Sequence, residues 1–333
     1  MAERDTVTAA QATSSHEADE SAALVAALAR GERRAVARVM TELERLSPRA
    51  AELLALLQPH LGGALVIGFT GPPGAGKSTL VNALIGELRA AGKRVGIIAV
   101  DPSSPVSGGS ILGDRIRMTA ALDDEGVFVR SLASRGYLGG LSPAAVRIID
   151  ALDAARFDVV VLETVGTGQN EIDVAEVADV RVVISAPGLG DDVQAMKSGL
   201  LEIADILVVN KGDREGAERT LQQLIGALSI RAGGSGGVPV IKTTATSGQG
   251  VEQLATAIDA VGRKALAEGL AARRRRRARY LIARAAADLV AERIRHSDGK
   301  TSTQLADRVL AGEMAVEEAA RLILDGAAGN SKR

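Results

Sequence analysis

Seven short apolar runs, at residues 64–69, 94–100, 127–131, 158–162, 181–185, 206–209 and 239–242, constrain this chain more than any other feature. Each is continuous rather than alternating, as in strands buried on both faces of a sheet. Helical stretches separate them, and strands separated by helices imply βαβ crossovers and a mainly parallel sheet. The predicted fold is a doubly wound α/β domain over residues 63–262. Aromatic residues make up 2% of the 333 and there is no Trp, so the core must be built from Val, Ile, Leu and Ala.

Helical patterns flank this domain. Between residues 20 and 62, Leu24, Leu28, Val36, Val39, Leu43 and Leu46 recur at helical spacing, with Gly31 as a break. Ser47-Pro48 has the form of an N-cap followed by proline at the first helical position, predicting a third helix through Leu57. From residue 263 to 333 only helical patterns remain, with a long Ala/Arg/Leu/Glu segment at 265–294, a shorter pair after it and a frayed end at 327–333. Residues 1–19 are polar, carry acids from Glu3 onward and lack an apolar stretch, which predicts a disordered tail rather than a secretory signal. No apolar run approaches the roughly 20 residues that a membrane helix needs. Cysteine is absent, which excludes disulfides, thiolate catalysis and thiolate metal sites. A cytoplasmic setting is expected. The net charge of −1 supplies no overall pull toward nucleic acid or an anionic membrane.

The segment Gly71-Pro-Pro-Gly74-Ala75-Gly76-Lys77-Ser78-Thr79 fits G-x-x-x-x-G-K-[ST], preceded by a strand and followed by a helix. Glycines let backbone N–H groups wrap phosphates, and the helix N-terminus adds positive potential. Lys77 is expected to reach the β- and γ-phosphates and the Ser78 hydroxyl to ligate Mg²⁺. Glu163 and Gly166 stand in E-T-V-G at the end of the run 158–162. A carboxylate there can hold Mg²⁺ through water and Gly166 can offer its N–H to a γ-phosphate, or the acid is an ordinary strand-end cap. Asp101 ends the run 94–100 and Asp114 follows across a loop; both are candidates for the metal shell, or two solvated acids of a surface loop.

Asn210-Lys211-Gly212-Asp213 directly follows the run 206–209. A carboxylate at Asp213 can accept from both N1–H and the exocyclic amine of guanine, a pair of donors that adenine lacks. The Lys211 stem can lie over the base and Asn210 can brace the phosphate loop. A second base contact is expected from a backbone N–H after the last strand, where Thr243-Thr244-Ala245-Thr246 makes Ala245 the candidate. These residues predict a guanine-nucleotide site for GTP and GDP.

GPPGAGKST, DPSSP with GGSILGDRIRM, ETVGTGQNE and NKGD together resemble the methylmalonyl-CoA-mutase-associated GTPases of MeaB/ArgK type, metallochaperone-like P-loop GTPases with Glu in the ExxG motif. The resemblance is closest across residues 64–213. It implies a homodimer that chaperones an adenosylcobalamin-dependent acyl-CoA mutase, coupling GTP binding and hydrolysis to cofactor loading. It further implies Lys77, Ser78, Asp101, Asp114 and Glu163 at the phosphates and Mg²⁺, and Asn210, Lys211 and Asp213 at guanine. The segment 187–199, with Asp191, Asp192 and Lys197, matches one implicated in coupling to the client, and Lys197 is the candidate for a cation positioned by the partner. Gln169 lies where other GTPases orient water, and no cis arginine finger is identifiable.

Other features weigh less. The run Arg273–Arg277 lacks interleaved aromatics and is expected to be a solvated helix face, or arginines bridging to an acidic partner, rather than a nucleic-acid patch. Apolar positions at 265–294 are expected to pack against a second subunit. His16, His60 and His296 have no metal-ligand spacing, which speaks against a metal-delivery GTPase. A P-loop kinase or ATPase tied to amino-acid transport is the other alternative, and NKGD speaks against it.

Overall fold

A computed structural model describes residues 18–101, 124–133, 141, 143–164, 170–188, 200–231, 237–296 and 299–330. The central sheet contains β1 (Leu65–Thr70), β2 (Val95–Asp101), β3 (Val127–Ala133), β4 (Val159–Thr164), β5 (Val180–Ser185), β6 (Ile206–Val209) and β7 (Val240–Lys242). Their order is β3-β2-β4-β1-β5-β6-β7 and every pairing is parallel. Each of the seven apolar runs therefore forms a strand. Burial on both faces explains why they do not alternate: all six residues of β4 are buried.

The topology places a crevice between β1 and β4. From β1 the chain moves past β4 to β2, whereas from β4 it moves past β1 to β5. Connections on opposite faces leave an opening beyond the carboxyl ends of those strands, where α/β sheets bind ligands. One face carries Ile67 and Phe69 against Leu80, Val81 and Leu84 of helix α4 (Lys77–Ala90). On the other face, a Cβ on Gly68 would meet Val174 Cγ1 at 2.2 Å, so helix Asn170–Val177 lies directly on β1.

Of the N-terminal helices α1 (residues 18–29), α2 (Arg33–Arg45) and α3 (Ala50–Leu57), the last two pack on helix Pro143–Ala154, and side chains of α2 reach the β3 edge. Arg33 donates to the carbonyl of Val127 at 2.7 Å and lies over the Phe128 ring, while Arg130 of β3 pairs with Glu44. These contacts occupy an edge that would otherwise offer unpaired backbone groups. Gly31, at φ 81°, separates α1 from α2.

Ser47 does not cap the third helix. Helix α3 starts at Ala50 with Arg49 before it and no side-chain cap. Ser47 instead gives its N–H to the carbonyl of Glu42, and Leu46 at φ 52° gives its own to Leu43. Its backbone therefore closes the preceding helix, in the double hydrogen-bonding pattern of a left-handed C-cap.

Two compact units divide between Arg277 and Ala278. In the first, helix α9 (Val251–Ala267) packs on α4 and β5, and a Cβ on Gly262 would meet Leu65 Cδ2 of β1 at 2.7 Å. The long segment at 265–294 is interrupted at Gly269, φ 85°, after which helix α10 runs from Leu270 to His296. In the second unit, α11 (Gly299–Leu310) and α12 (Val316–Asn330) form a helical pair around Leu305, Met314 and Ala319. Residues 327–330, read as frayed, belong to α12. Among the described residues no helix is long and apolar enough to cross a membrane.

The arginine run also departs from expectation, because Arg273 and Arg277 are buried. Arg273 and Arg277 donate to Asp179 Oδ2 at 2.8 and 2.7 Å, and Arg276 donates to Asp179 Oδ1 at 2.9 Å. Spacings of three and four place all three on one side of the helix turn. Their partner is an acid of the same chain, which joins helix Asn170–Val177 to β5 and also accepts from the Val66 N–H. Nearby, Asp153 accepts the N–H groups of Gly62, Gly63 and Ala64. Burial pushes the Asp150 carboxyl up, opposed by Arg274 and Arg277. It pushes the Arg277 guanidinium down, opposed by Asp179.

Candidate functional site

Strand β1 delivers the chain to Gly71, whose φ of 140° and closeness to β5 exclude a side chain: a Cβ would meet the Ile184 carbonyl oxygen at 2.1 Å. The loop continues through Gly74 and Ala75 to Gly76, at φ 86°, and α4 begins at Lys77. A Cβ on Gly76 would meet Asn210 Nδ2 at 2.5 Å. The N–H groups of the first turn of α4 and the positive end of its dipole face the loop. Lys77 folds back along it, donating from Nζ to the carbonyls of Gly71 at 2.8 Å and Pro72 at 3.0 Å. The ammonium is buried with carbonyl partners, a cation held at the mouth of a phosphate-sized nest.

Ser78 and Glu163 meet although 85 residues separate them, the Ser78 hydroxyl donating to Glu163 Oε1 at 2.5 Å. Phe69 pairs with Glu163 across β1 and β4, so paired side chains share the α4 face of the sheet. A hydroxyl and a carboxylate are hard oxygen donors, and Mg²⁺ binds through one or two such groups while keeping several waters. This donor set fits Mg²⁺. Thr79 follows in the first turn of α4. Asp101 closes β2, beside the end of β4 through the Val100–Thr164 pairing. Gly166, Asp114, Lys197, Gln169, Asp191 and Asp192 lie outside the described residues.

At the end of β6 the fully enclosed Asn210 links two parts of the site. Its Nδ2 donates to the carbonyl of Ala75 at 2.9 Å, and its Oδ1 accepts from Thr243 Oγ1 at 3.1 Å and from the Ala245 N–H at 3.2 Å. Lys211 follows at φ 56°, an uncommon conformation for a side-chain-bearing residue, and Gly212 donates its N–H to the Thr243 carbonyl at 2.8 Å. The turn thereby aims Lys211 and Asp213 into a cleft of about 150 Å³. Thr79, Asp213, Arg214, Thr244, Ala245 and Thr246 line it.

The structure thus gathers Gly71, Gly74, Ala75, Gly76, Lys77, Ser78, Thr79, Glu163, Asn210, Lys211, Asp213 and Ala245 at the carboxyl ends of β1, β4, β6 and β7. Sequence reasoning did not single out Thr243, whose hydroxyl orients Asn210, or Arg214 in the cleft wall. A threonine at the exit of the last strand was the available signal for the first. A larger cleft of about 320 Å³, lined by residues including Arg181, Asp205, Lys264 and Arg276, lies at the amino ends of β5 and β6. There Arg181 is held by both oxygens of Asp205, which raises the arginine's pKa.

A parallel sheet with a phosphate loop after its central strand and an Asn-Lys-Gly-Asp turn two strands away defines a P-loop GTPase. More narrowly, the family described as methylmalonyl Co-A mutase-associated GTPase MeaB matches residues 34–299, and the chain belongs to that family. A Pyrococcus horikoshii protein that carries the name GTPase is 50% identical over 235 residues, 69% of this chain and 74% of that protein. The methylmalonic aciduria type A homolog of Mus musculus, a mitochondrial protein, is 32% identical over 323 residues, 90% of this chain and 78% of its own length. The crystal structure of a LAO/AO transport system kinase superposes with a TM-score of 0.72 at 27% identity, covering 92% of this chain and 97% of that one. The chain is accordingly a GTPase that binds GTP and GDP.

Proposed function

We propose that this GTPase is a chaperone of an adenosylcobalamin-dependent acyl-CoA mutase of the methylmalonyl-CoA mutase type, coupling GTP binding and hydrolysis to cofactor loading and to protection or reactivation of the mutase. The observation that carries the nucleotide side of this reading is the Asn210 bridge, which joins the guanine-reading turn to the phosphate loop. The family match and the likeness to the methylmalonic aciduria type A homolog support the client.

In this reading Asp213 accepts from guanine, Lys211 covers the base and Asn210 holds the turn against Ala75. Gly71, Gly74, Ala75, Gly76, Lys77, Ser78 and Thr79 cradle the phosphates, and Gly166 serves the γ-phosphate. Ser78 and Glu163 hold Mg²⁺, with Asp101 and Asp114 in or near its shell. When bound, the metal supplies positive charge to the phosphate oxygens. Ala245 lines the base cleft with its N–H donating to Asn210, and in this reading it turns that N–H to guanine as the second base contact. Phosphoryl transfer to water is mainly positioning and charge neutralisation, and without an arginine finger in cis the basal rate is slow. The partner accelerates it through the segment that carries Lys197. Residues 263–333 form the homodimer contact, and the protein works in the cytoplasm without nucleic acid or membrane partners.

The test is GTP and ATP turnover with and without the adenosylcobalamin-dependent mutase of the same cell. GTP turnover that rises with mutase supports the chaperone, and Lys197→Ala then binds GTP but loses the stimulation. GTP turnover indifferent to mutase overturns the client. The likeness to the LAO/AO transport system kinase favours a second reading, a kinase linked to transport. Phosphate transfer from ATP would favour that reading.

A further inference from the structure

Two buried hydroxyls stand at the ligand crevice with no hydrogen-bond partner among the described residues, Thr70 Oγ1 and Thr164 Oγ1. The residues are 2% and 1% exposed. Thr70 is the last residue of β1, directly before Gly71, and Thr164 is the last of β4, directly after Glu163. Pairing between these strands runs from Leu65 with Val159 to Phe69 with Glu163 and stops there. One step further, Thr70 is registered with Val183 of β5, and Thr164 with Val100 of β2. The two central strands therefore part at the level of the threonines, while each stays paired to its outer neighbour.

Alternation along a strand places both hydroxyl-bearing side chains on one face. Gly68 pairs with Leu162, so Thr70 and Thr164 share their face, the one covered by helix Asn170–Val177. Phe69 and Glu163 point the other way, toward α4. Burying a hydroxyl without a partner is unfavourable, and native structures answer such a pair with a shared group or ordered water. Side chains opposite one another on neighbouring strands lie about 5 Å apart, a spacing that one water spans.

We propose that Thr70 and Thr164 are positioning residues, whose hydroxyls hold one buried water in the split between β1 and β4 and so fix the spacing between the phosphate loop and Glu163. Each threonine adjoins a part of the site: Thr70 precedes the loop and Thr164 follows the carboxylate that accepts from Ser78. A wider split carries Glu163 away from Ser78. The proposal rests on the reading of Ser78 and Glu163 as the metal-holding pair.

The experiment compares Thr70→Val and Thr164→Val with Thr70→Ser and Thr164→Ser, measuring GTP turnover against magnesium concentration and the melting temperature of the nucleotide-free chain. Valine keeps the shape and removes the hydroxyl. Expected are a fall of about tenfold in turnover, a several-fold higher magnesium requirement and a lower melting temperature, with serine restoring all three. A hydroxyl that never has a partner gives the opposite sign, since a methyl in its place relieves the burial penalty. Valine variants with wild-type turnover and magnesium requirement, or with an unchanged or raised melting temperature, overturn the proposal. Should Thr70→Val or Thr164→Val not fold, Thr70→Ala or Thr164→Ala reads the turnover and the magnesium requirement, with serine again restoring both. Glu163→Gln separates the two layers of inference. Wild-type turnover and magnesium requirement in that variant refute the metal-holding pair itself, whereas a crippled Glu163→Gln beside normal valine variants refutes only the role of the threonines.

Discussion

Asn210 donates its side-chain amide to the carbonyl of Ala75 at 2.9 Å, across 135 residues of sequence. The residue is 2% exposed and its Oδ1 is used as well, by Thr243 and Ala245. One side chain thus sets the distance between the turn that reads the base and the loop that holds the phosphates.

Asn210→Ala removes that link and leaves buried partners unsatisfied, which costs about 1–3 kcal/mol. GDP and GTP affinity are expected to fall by the same factor, about 10- to 100-fold, because the bridge touches nothing specific to the γ-phosphate. Titration with fluorescent analogues of both nucleotides checks it, and unequal losses would place Asn210 in the switch instead.

Asp213→Asn exchanges two acceptor oxygens for one acceptor and one donor. GTP affinity is expected to drop by about two orders of magnitude while xanthosine triphosphate, with a carbonyl where guanine has its amine, gains. Competition between the two nucleotides measures this, and an unaltered preference for GTP would be incompatible with the base assignment.

Asp179 is the shared acceptor of Arg273, Arg276 and Arg277, and its side chain is 0% exposed. Removing one partner of a buried ionic group is costly because the remaining charges stay uncompensated. Asp179→Ala is expected to destabilise the chain by about 3–5 kcal/mol in urea denaturation. A change of a few tenths would mean that the arginines find water or another acceptor.

Asp150 gives a pH dependence. Burial raises its folded-state pKa above the unfolded value, so the folded form binds this proton more tightly. The stability it contributes is present below the unfolded pKa and is lost as pH rises through the folded one. Above the unfolded pKa the burial of this carboxyl is therefore a burden, and Asp150→Asn is expected to raise the melting temperature there. The gain should shrink as pH falls through the folded pKa, and a gain constant with pH would show that charge is not its source.

The strands were legible because burial on both faces leaves a direct trace: 206–209 is apolar throughout and forms β6 over those residues. Ser47-Pro48 shows where local signals compete. The same tetrapeptide neighbourhood can start one helix or close another, and here the C-cap of α2 takes the Ser47 N–H. The arginine run misled because helical spacing reports which residues share a face but not what that face meets. Nothing within residues 270–277 points to Asp179, whose identity as partner depends on where helix Asn170–Val177 ends against the sheet.

What the sequence determined by itself was local and contiguous: a phosphate loop framed by strand and helix, and an Asn-Lys-Gly-Asp turn after a buried strand. Short-range sterics and backbone hydrogen bonding specify such units within about ten residues, so they survive being read without a fold. What only the tertiary structure decided were the pairings of Ser78 with Glu163, Asn210 with Ala75, and the arginines with Asp179. Those depend on strand order. The interposition of β4 between β2 and β1 brings Glu163 beside the phosphate loop, and β5 beside β1 carries Asp179 to the start of the sheet. Packing of many apolar side chains sets that order, and no single motif records it.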